Sequence, residues 1–150
     1  MTDVNTVLEL FEPICEAAEG VRLMPYDDAT GLPVHPAQGN WTIGIGTKLP
    51  LSRDEAKVLW KMRASAFLNE MVGIYWFEAI ADSPQRQCAL LEVSYNSGSI
   101  FEWHDLIAAV KAKDWKAAFN AVLNSKAANN PKLHARYERI ADTMLTGVIQ

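Results

Sequence analysis

Cysteine is scarce in this chain, with only Cys15 and Cys88 among 150 residues. Both fall in stretches of helical apolar periodicity, and helix-borne cysteines seldom meet the distance limits of a disulfide. A disulfide-stapled scaffold is therefore excluded, and two buried reduced thiols are expected. Long apolar runs are missing as well. No window approaches the roughly 20 apolar residues of a membrane span, so no membrane insertion is expected. The opening residues Met1–Thr6 have neither the basic segment nor the apolar run of an export signal, which points to synthesis in the cytoplasm. Positive charge is in deficit: 14 Lys and Arg against 18 Asp and Glu give a net charge of −4, without electrostatic support for a nucleic-acid partner. The three histidines, His35, His104 and His134, have no cysteine or carboxylate at ligand spacing. No metal and no cofactor are expected. No serine or cysteine stands in a local nucleophile signature.

What the chain does have is enough apolar material for one core. With 49% hydrophobic and 21% charged residues, it reads as a single domain over residues 1–150, expected as a monomer. Val4, Val7, Leu8, Phe11, Ile14, Cys15 and Ala18 recur at spacings of three and four, which predicts an amphipathic helix capped by Thr2 or Asp3. Pro13 should kink it or interrupt its hydrogen bonding. Gly20 should close it, which leaves Glu19 at a helix end. From Val21 to Lys48 the helical period disappears, and glycines and prolines punctuate strand-like pieces such as Trp41–Ile45. This stretch predicts a small antiparallel hairpin or sheet with a long loop over residues 32–40.

The remainder reads as helical. Ser52-Arg53-Asp54-Glu55 is a capping box leading into Ala56, Leu59, Trp60, Met62, Phe67 and Met71. Ser83-Pro84 starts a helix bearing Cys88, Leu91 and Tyr95, stopped at Asn96, Gly98 and Ser99. Two short helices follow, one with Leu106, Ile107 and Val110, the other capped by Asp114. Asn130-Pro131 is expected to open the last helix, which ends at Gly147. The fold class expected is α+β: a small antiparallel β-region near the N-terminus followed by a mostly helical bundle. Trp60 and Trp115 occupy core-like helical positions, whereas Trp41 and Trp103 are freer to face a cleft.

Chemistry concentrates between residues 19 and 47. A glutamate closes a helix, Asp28 follows nine residues later in the hairpin, and the hydroxyl of Thr42 lies in the next strand. Cleavage of a glycosidic bond needs two such carboxyl groups. One must be protonated to supply the leaving oxygen, and one must be ionised to activate water or stabilise the cationic transition state. A glutamate shielded at a helix end can keep its proton, while an aspartate in a wetter hairpin stays charged. On spacing alone, surface carboxylates beside turns explain the same pattern.

The ordered residues Glu19-Gly20-x-Arg22-Leu23-x-x-Tyr26-x-Asp28, then Thr42-Ile43-Gly44-x-Gly46, resemble the motif of the phage-type lysozymes, the T4-lysozyme-like muramidases of glycoside hydrolase family 24. Tyr95-Asn96-Ser97-Gly98 is similar to that family's element at a helix end bordering the cleft. Arg136-x-x-Arg139 ahead of Leu145-x-Gly147 is similar to its C-terminal helix. The resemblance implies a lysozyme-like fold and hydrolysis of bacterial peptidoglycan. Glu19 would be the general acid, Asp28 the second carboxylate, and Thr42 the residue that holds the attacking water. It implies an inverting reaction, with Arg136 a cationic neighbour of Glu19. Asn96 can bond sugar or peptide groups, or cap its helix, or do both. Tyr26 either lines the cleft or packs the hairpin. Gly44 either lets the polymer approach the backbone or marks a bulge. Without an export signal, such an enzyme resembles an endolysin that passes holin-made holes, or one delivered by an injection or secretion apparatus.

Two departures from the family pattern stand out. Thirteen residues separate Asp28 from Thr42, a longer hairpin tip than usual, which leaves Asp27 as the alternative to Asp28. Thr47 replaces a histidine understood as structural. The competing class is a lysozyme-fold module that binds peptidoglycan without turnover.

Overall fold

The computed structural model describes residues 1–25, 30, 42–43 and 47–149, with Thr42, Ile43, Thr47 and Lys48 as backbone only. Among these residues the architecture is predominantly helical. Seven α-helices run in order: α1 (Val4–Glu19), α2 (Arg53–Asn69), α3 (Tyr75–Glu78), α4 (Pro84–Ser97), α5 (His104–Ala112), α6 (Trp115–Leu123) and α7 (His134–Thr146). A 3₁₀ turn at Ile100–Glu102 joins α4 to α5. This corrects the α+β expectation. Strand-type pairing among the described residues is confined to Thr42–Ile43 against Thr47–Lys48, with Thr42 opposite Lys48 and Ile43 opposite Thr47. Two described residues a side fall well short of the three or more paired strands that form a stable layer.

Local chemistry accounts for most helix boundaries. Asp3 caps α1 by accepting from the Asn5 and Thr6 amides, and Gly20 ends it with a φ of 70° that suits a residue without a Cβ. Pro13 does not end the helix, which continues past it to Glu19. Ser52 and Glu55 form the expected capping box on α2. Asp114 accepts from the Ala117 amide at the start of α6. Ser83 sits at the N-cap of α4 with Pro84 at the first helical position, but its hydroxyl makes no capping bond. The last helix begins later than expected, at His134. Asn130 Oδ1 instead accepts from the Lys132 amide, so Asn130-Pro131 forms a turn ahead of it.

α4 is the centre of the molecule. Every residue from Gln87 to Ser94 is buried, and the helix packs against α1, α2 and α7. A helix covered on all sides in this way is the core of its domain. α7 is fastened at its C-terminal end by Arg86, which donates to the carbonyls of Met144 (2.8 Å) and Leu145 (3.1 Å) while stacking over Trp115. α2 shows its packing face through Trp60, Ala64, Phe67 and Leu68, whereas Leu59 and Met62, expected on that face, are exposed. Both cysteines are buried and free.

The N-terminus is tied down through Glu78, whose carboxylate accepts from the amides of Thr2 (2.7 Å) and Gly73 (3.1 Å). The Gly73 bond, then that from Thr2, holds this carboxyl below the ordinary glutamate range, against the opposing effect of burial. A folded value below the unfolded one stabilises the protein above the unfolded pKa and is lost as pH falls through the folded value. Glu78→Gln should therefore cost about 1–2 kcal/mol at neutral pH and little in acid, as read by urea melts at both pH values.

Candidate active site

Glu19 is the last residue of α1, and its carboxylate oxygen Oε1 accepts from Arg136 Nη2 of α7 at 2.7 Å. The other terminal nitrogen of that guanidinium donates to Asn96 Oδ1 on α4. Asn96 is oriented in turn by its own amide group, which donates to the Glu92 carbonyl one turn back at 2.8 Å. Three residues drawn from separate parts of the sequence thus form one chain of polar contacts. A forked guanidinium with both prongs engaged has a fixed plane, which makes Arg136 a rigid neighbour for Glu19. Asn96 is not the helix cap. That place belongs to Gly98, whose φ of 88° closes α4.

The environment of Glu19 differs from the expectation of a shielded acid. Its side chain is 45% exposed, while that of Arg136 is 14% exposed. Beside it lies a cavity of about 190 Å³ lined by Cys15, Glu16, Glu19, Arg22, Trp60 and Tyr95, among others. Burial pushes the Cys15 thiol up; Trp60 works against that shift and Glu19 reinforces it. The thiol is therefore protonated at neutral pH and is no nucleophile. Burial likewise raises the Tyr95 phenol, which leaves it a neutral wall packed edge-on against Phe11 and Phe67. Leu51 N–H donates to the Leu23 carbonyl at 2.9 Å, which joins the chain leaving α1 to the chain entering α2.

Glu19, Asn96 and Arg136 are brought together as a set. Asp28, its alternative Asp27, Tyr26, Gly44 and Trp41 lie outside the described residues. Thr42 is placed on the backbone in the short pairing with Lys48. Trp103 is half-buried, stacked on Tyr137 with the rings 9° from parallel, and borders an open groove along α5 and α6. His134, read from the sequence as having no partner at ligand spacing, pairs with Glu138 one turn on at 3.2 Å, both half exposed.

Sequence reasoning missed Glu92. It lies behind the Arg136 contact with a side chain only 5% exposed, 2.5 Å from Arg139 Nη2 and 4.0 Å from Arg136 Nε. A signal was there: Glu92 follows Cys88 by one turn and precedes Tyr95 by three residues, which places a carboxylate on the apolar stripe of α4. Burial raises its pKa above the usual carboxylate range even with both arginines opposing.

A family model described as phage lysozyme matches residues 16–141, well over half of the chain. A search of curated proteins found no match.

Proposed function

The chain belongs to the phage lysozyme family, and on that premise we propose that it cleaves the β-1,4 bond between N-acetylmuramic acid and N-acetylglucosamine in bacterial peptidoglycan. Glu19 donates the proton to the leaving glycosidic oxygen. Asp28 supports the water and the developing positive charge from the other face of the sugar, and Thr42 holds that water in line. Tyr26, Gly44, Asn96 and Arg136 contribute to the walls that receive the polymer. The observation that carries the reading is the convergence of Glu19, Asn96 and Arg136, which come from three motif-bearing segments, into one hydrogen-bonded set.

In this mechanism the carboxyl groups stand roughly 6.5–9.5 Å apart, with room for a water between Asp28 and the anomeric carbon. The product then has inverted configuration. The enzyme acts on the cell wall as an endolysin, and reaches it through holes made by a separate membrane protein or by an injection apparatus.

The test is release of reducing ends from purified, peptide-bearing peptidoglycan. Activity supports the enzyme; binding by a folded chain without release would make it a peptidoglycan-binding module. Within the same assay, Asp28→Asn should lose about 100-fold or more, with Asp27→Asn close to wild type. The reverse ranking would move the second carboxylate to Asp27.

A further inference from the structure

The proposed acid stands next to a cation, and that is a chemical problem. A general acid must hold its proton until the leaving oxygen takes it, and here the guanidinium of Arg136 stands 2.7 Å from the Glu19 carboxyl. Something has to balance the arginine. Glu92 lies on its far side, nearly buried, close to the guanidiniums of both Arg136 and Arg139. The same residue also acts through the backbone, since its carbonyl orients the Asn96 amide whose oxygen receives Arg136.

We propose that Glu92 is the positioning residue of this site: its buried carboxylate offsets the charge of the Arg136–Arg139 pair and fixes Arg136 in place beside the Glu19 carboxyl. The inference rests on the reading of Glu19 as general acid. Geometry sets the order of contacts, running from Arg139 through Glu92 and Arg136 to Glu19, with Asn96 bracing the arginine. The groups that bear on Glu92 are few. From α7 they are Arg139, Arg136 and the Tyr137 phenol; from α1, Glu19; and from its own helix, Cys88. Burial keeps these charges from being screened by solvent, so a carboxylate at this depth acts on its neighbours more strongly than an exposed one.

The experiment compares the wild type with Glu92→Gln, Arg139→Gln and the double variant. Two readouts are followed as a function of pH: reducing-end release, and the carboxyl carbon resonance of Glu19 in the isotope-labelled free protein. Glu92→Gln keeps the shape and removes the negative charge. Its activity should fall about threefold to tenfold on the alkaline side of the optimum, with that limb displaced to lower pH. Arg139→Gln removes positive charge and should displace the limb to higher pH. The double variant, with local charge restored, should return toward wild type. The Glu19 resonance should move in step with each. Loss of activity that is uniform in pH, with the resonance unmoved, would make Glu92 a structural residue only and overturn the proposal. If Glu92→Gln does not fold, Glu92→Asp, which keeps the charge but shortens its reach to the arginines, decides in its place: a limb and resonance that stay in place overturn it. A wild-type chain that releases no reducing ends would refute the enzymatic reading, while the resonance titrations would still settle whether Glu92 governs Glu19.

Discussion

Glu19→Gln leaves the helices in place and reduces release of reducing ends from peptidoglycan by at least about 100-fold, to the assay background. The fold survives for two reasons. The side chain is 45% exposed, so no buried charge is stranded, and the amide oxygen still accepts from Arg136. Exposed ion pairs contribute at most about 1 kcal/mol, so the melting transition should barely move. The chemistry does not survive, because an amide of the same shape has no acidic proton to give to the leaving oxygen. Polymer binding should persist, and co-sedimentation with insoluble peptidoglycan checks it. Turnover near wild type in a folded Glu19→Gln chain would remove this residue from the role of general acid.

Phe11→Ala should be strongly destabilising, at about 3–5 kcal/mol. The ring is 1% exposed and meets Trp60 at 5.8 Å and Tyr95 at 5.3 Å between centroids, so it joins α1 to α2 and α4 at one point. Removing it leaves a void that rigid aromatic neighbours cannot fill. A loss of that size is a large part of the roughly 5–15 kcal/mol that holds a domain folded. Phe11, Cys15 and Glu19 succeed one another by four residues on the same stripe of α1, so the damage reaches the site. Activity measured where the variant is still folded should drop, because the helix end that presents Glu19 has lost its anchor. Phe11→Leu should cost far less. Urea midpoints at unchanged slope give the comparison, and a Phe11→Ala loss under about 1 kcal/mol would place the anchor of α1 elsewhere.

Which parts of this molecule were legible in its sequence follows from the range of the forces involved. Helix ends set by neighbours in the chain could be read directly. Asp3, the Ser52–Glu55 box, Asp114, and the glycines at 20, 98 and 147 all act within a turn of where they stand. The β-region could not be read in this way. Alternating apolar residues around Trp41–Ile45 suggest strands, but pairing needs length on both sides, and the described ladder has two residues a side. Leu59 and Met62 misled for a related reason: periodicity identifies an apolar stripe but not whether another element covers it. Asn130-Pro131 has the pattern of a helix start, but the Asn130 side chain commits the backbone to a turn.

The site shows the same division. The resemblance of Glu19, Asn96 and Arg136 to a family pattern gave their identities, and the fold brings them into contact. Glu92 escaped notice because a lone glutamate in a helix is ordinarily on a solvated face. Only the approach of α7 reveals that it is enclosed between two arginines. The exposure of Glu19 ran against expectation too, since a helix end gives direction to a carboxylate without enclosing it.

The central claim is that this chain cuts the glycan strand of peptidoglycan after N-acetylmuramic acid. The most direct measurement is to digest purified peptidoglycan with the wild-type chain, reduce the new ends with borohydride, and identify the sugar alcohol by mass spectrometry. Reduced N-acetylmuramic acid at the new ends is the predicted result. Reduced N-acetylglucosamine there, or no new ends from a folded chain, would contradict it.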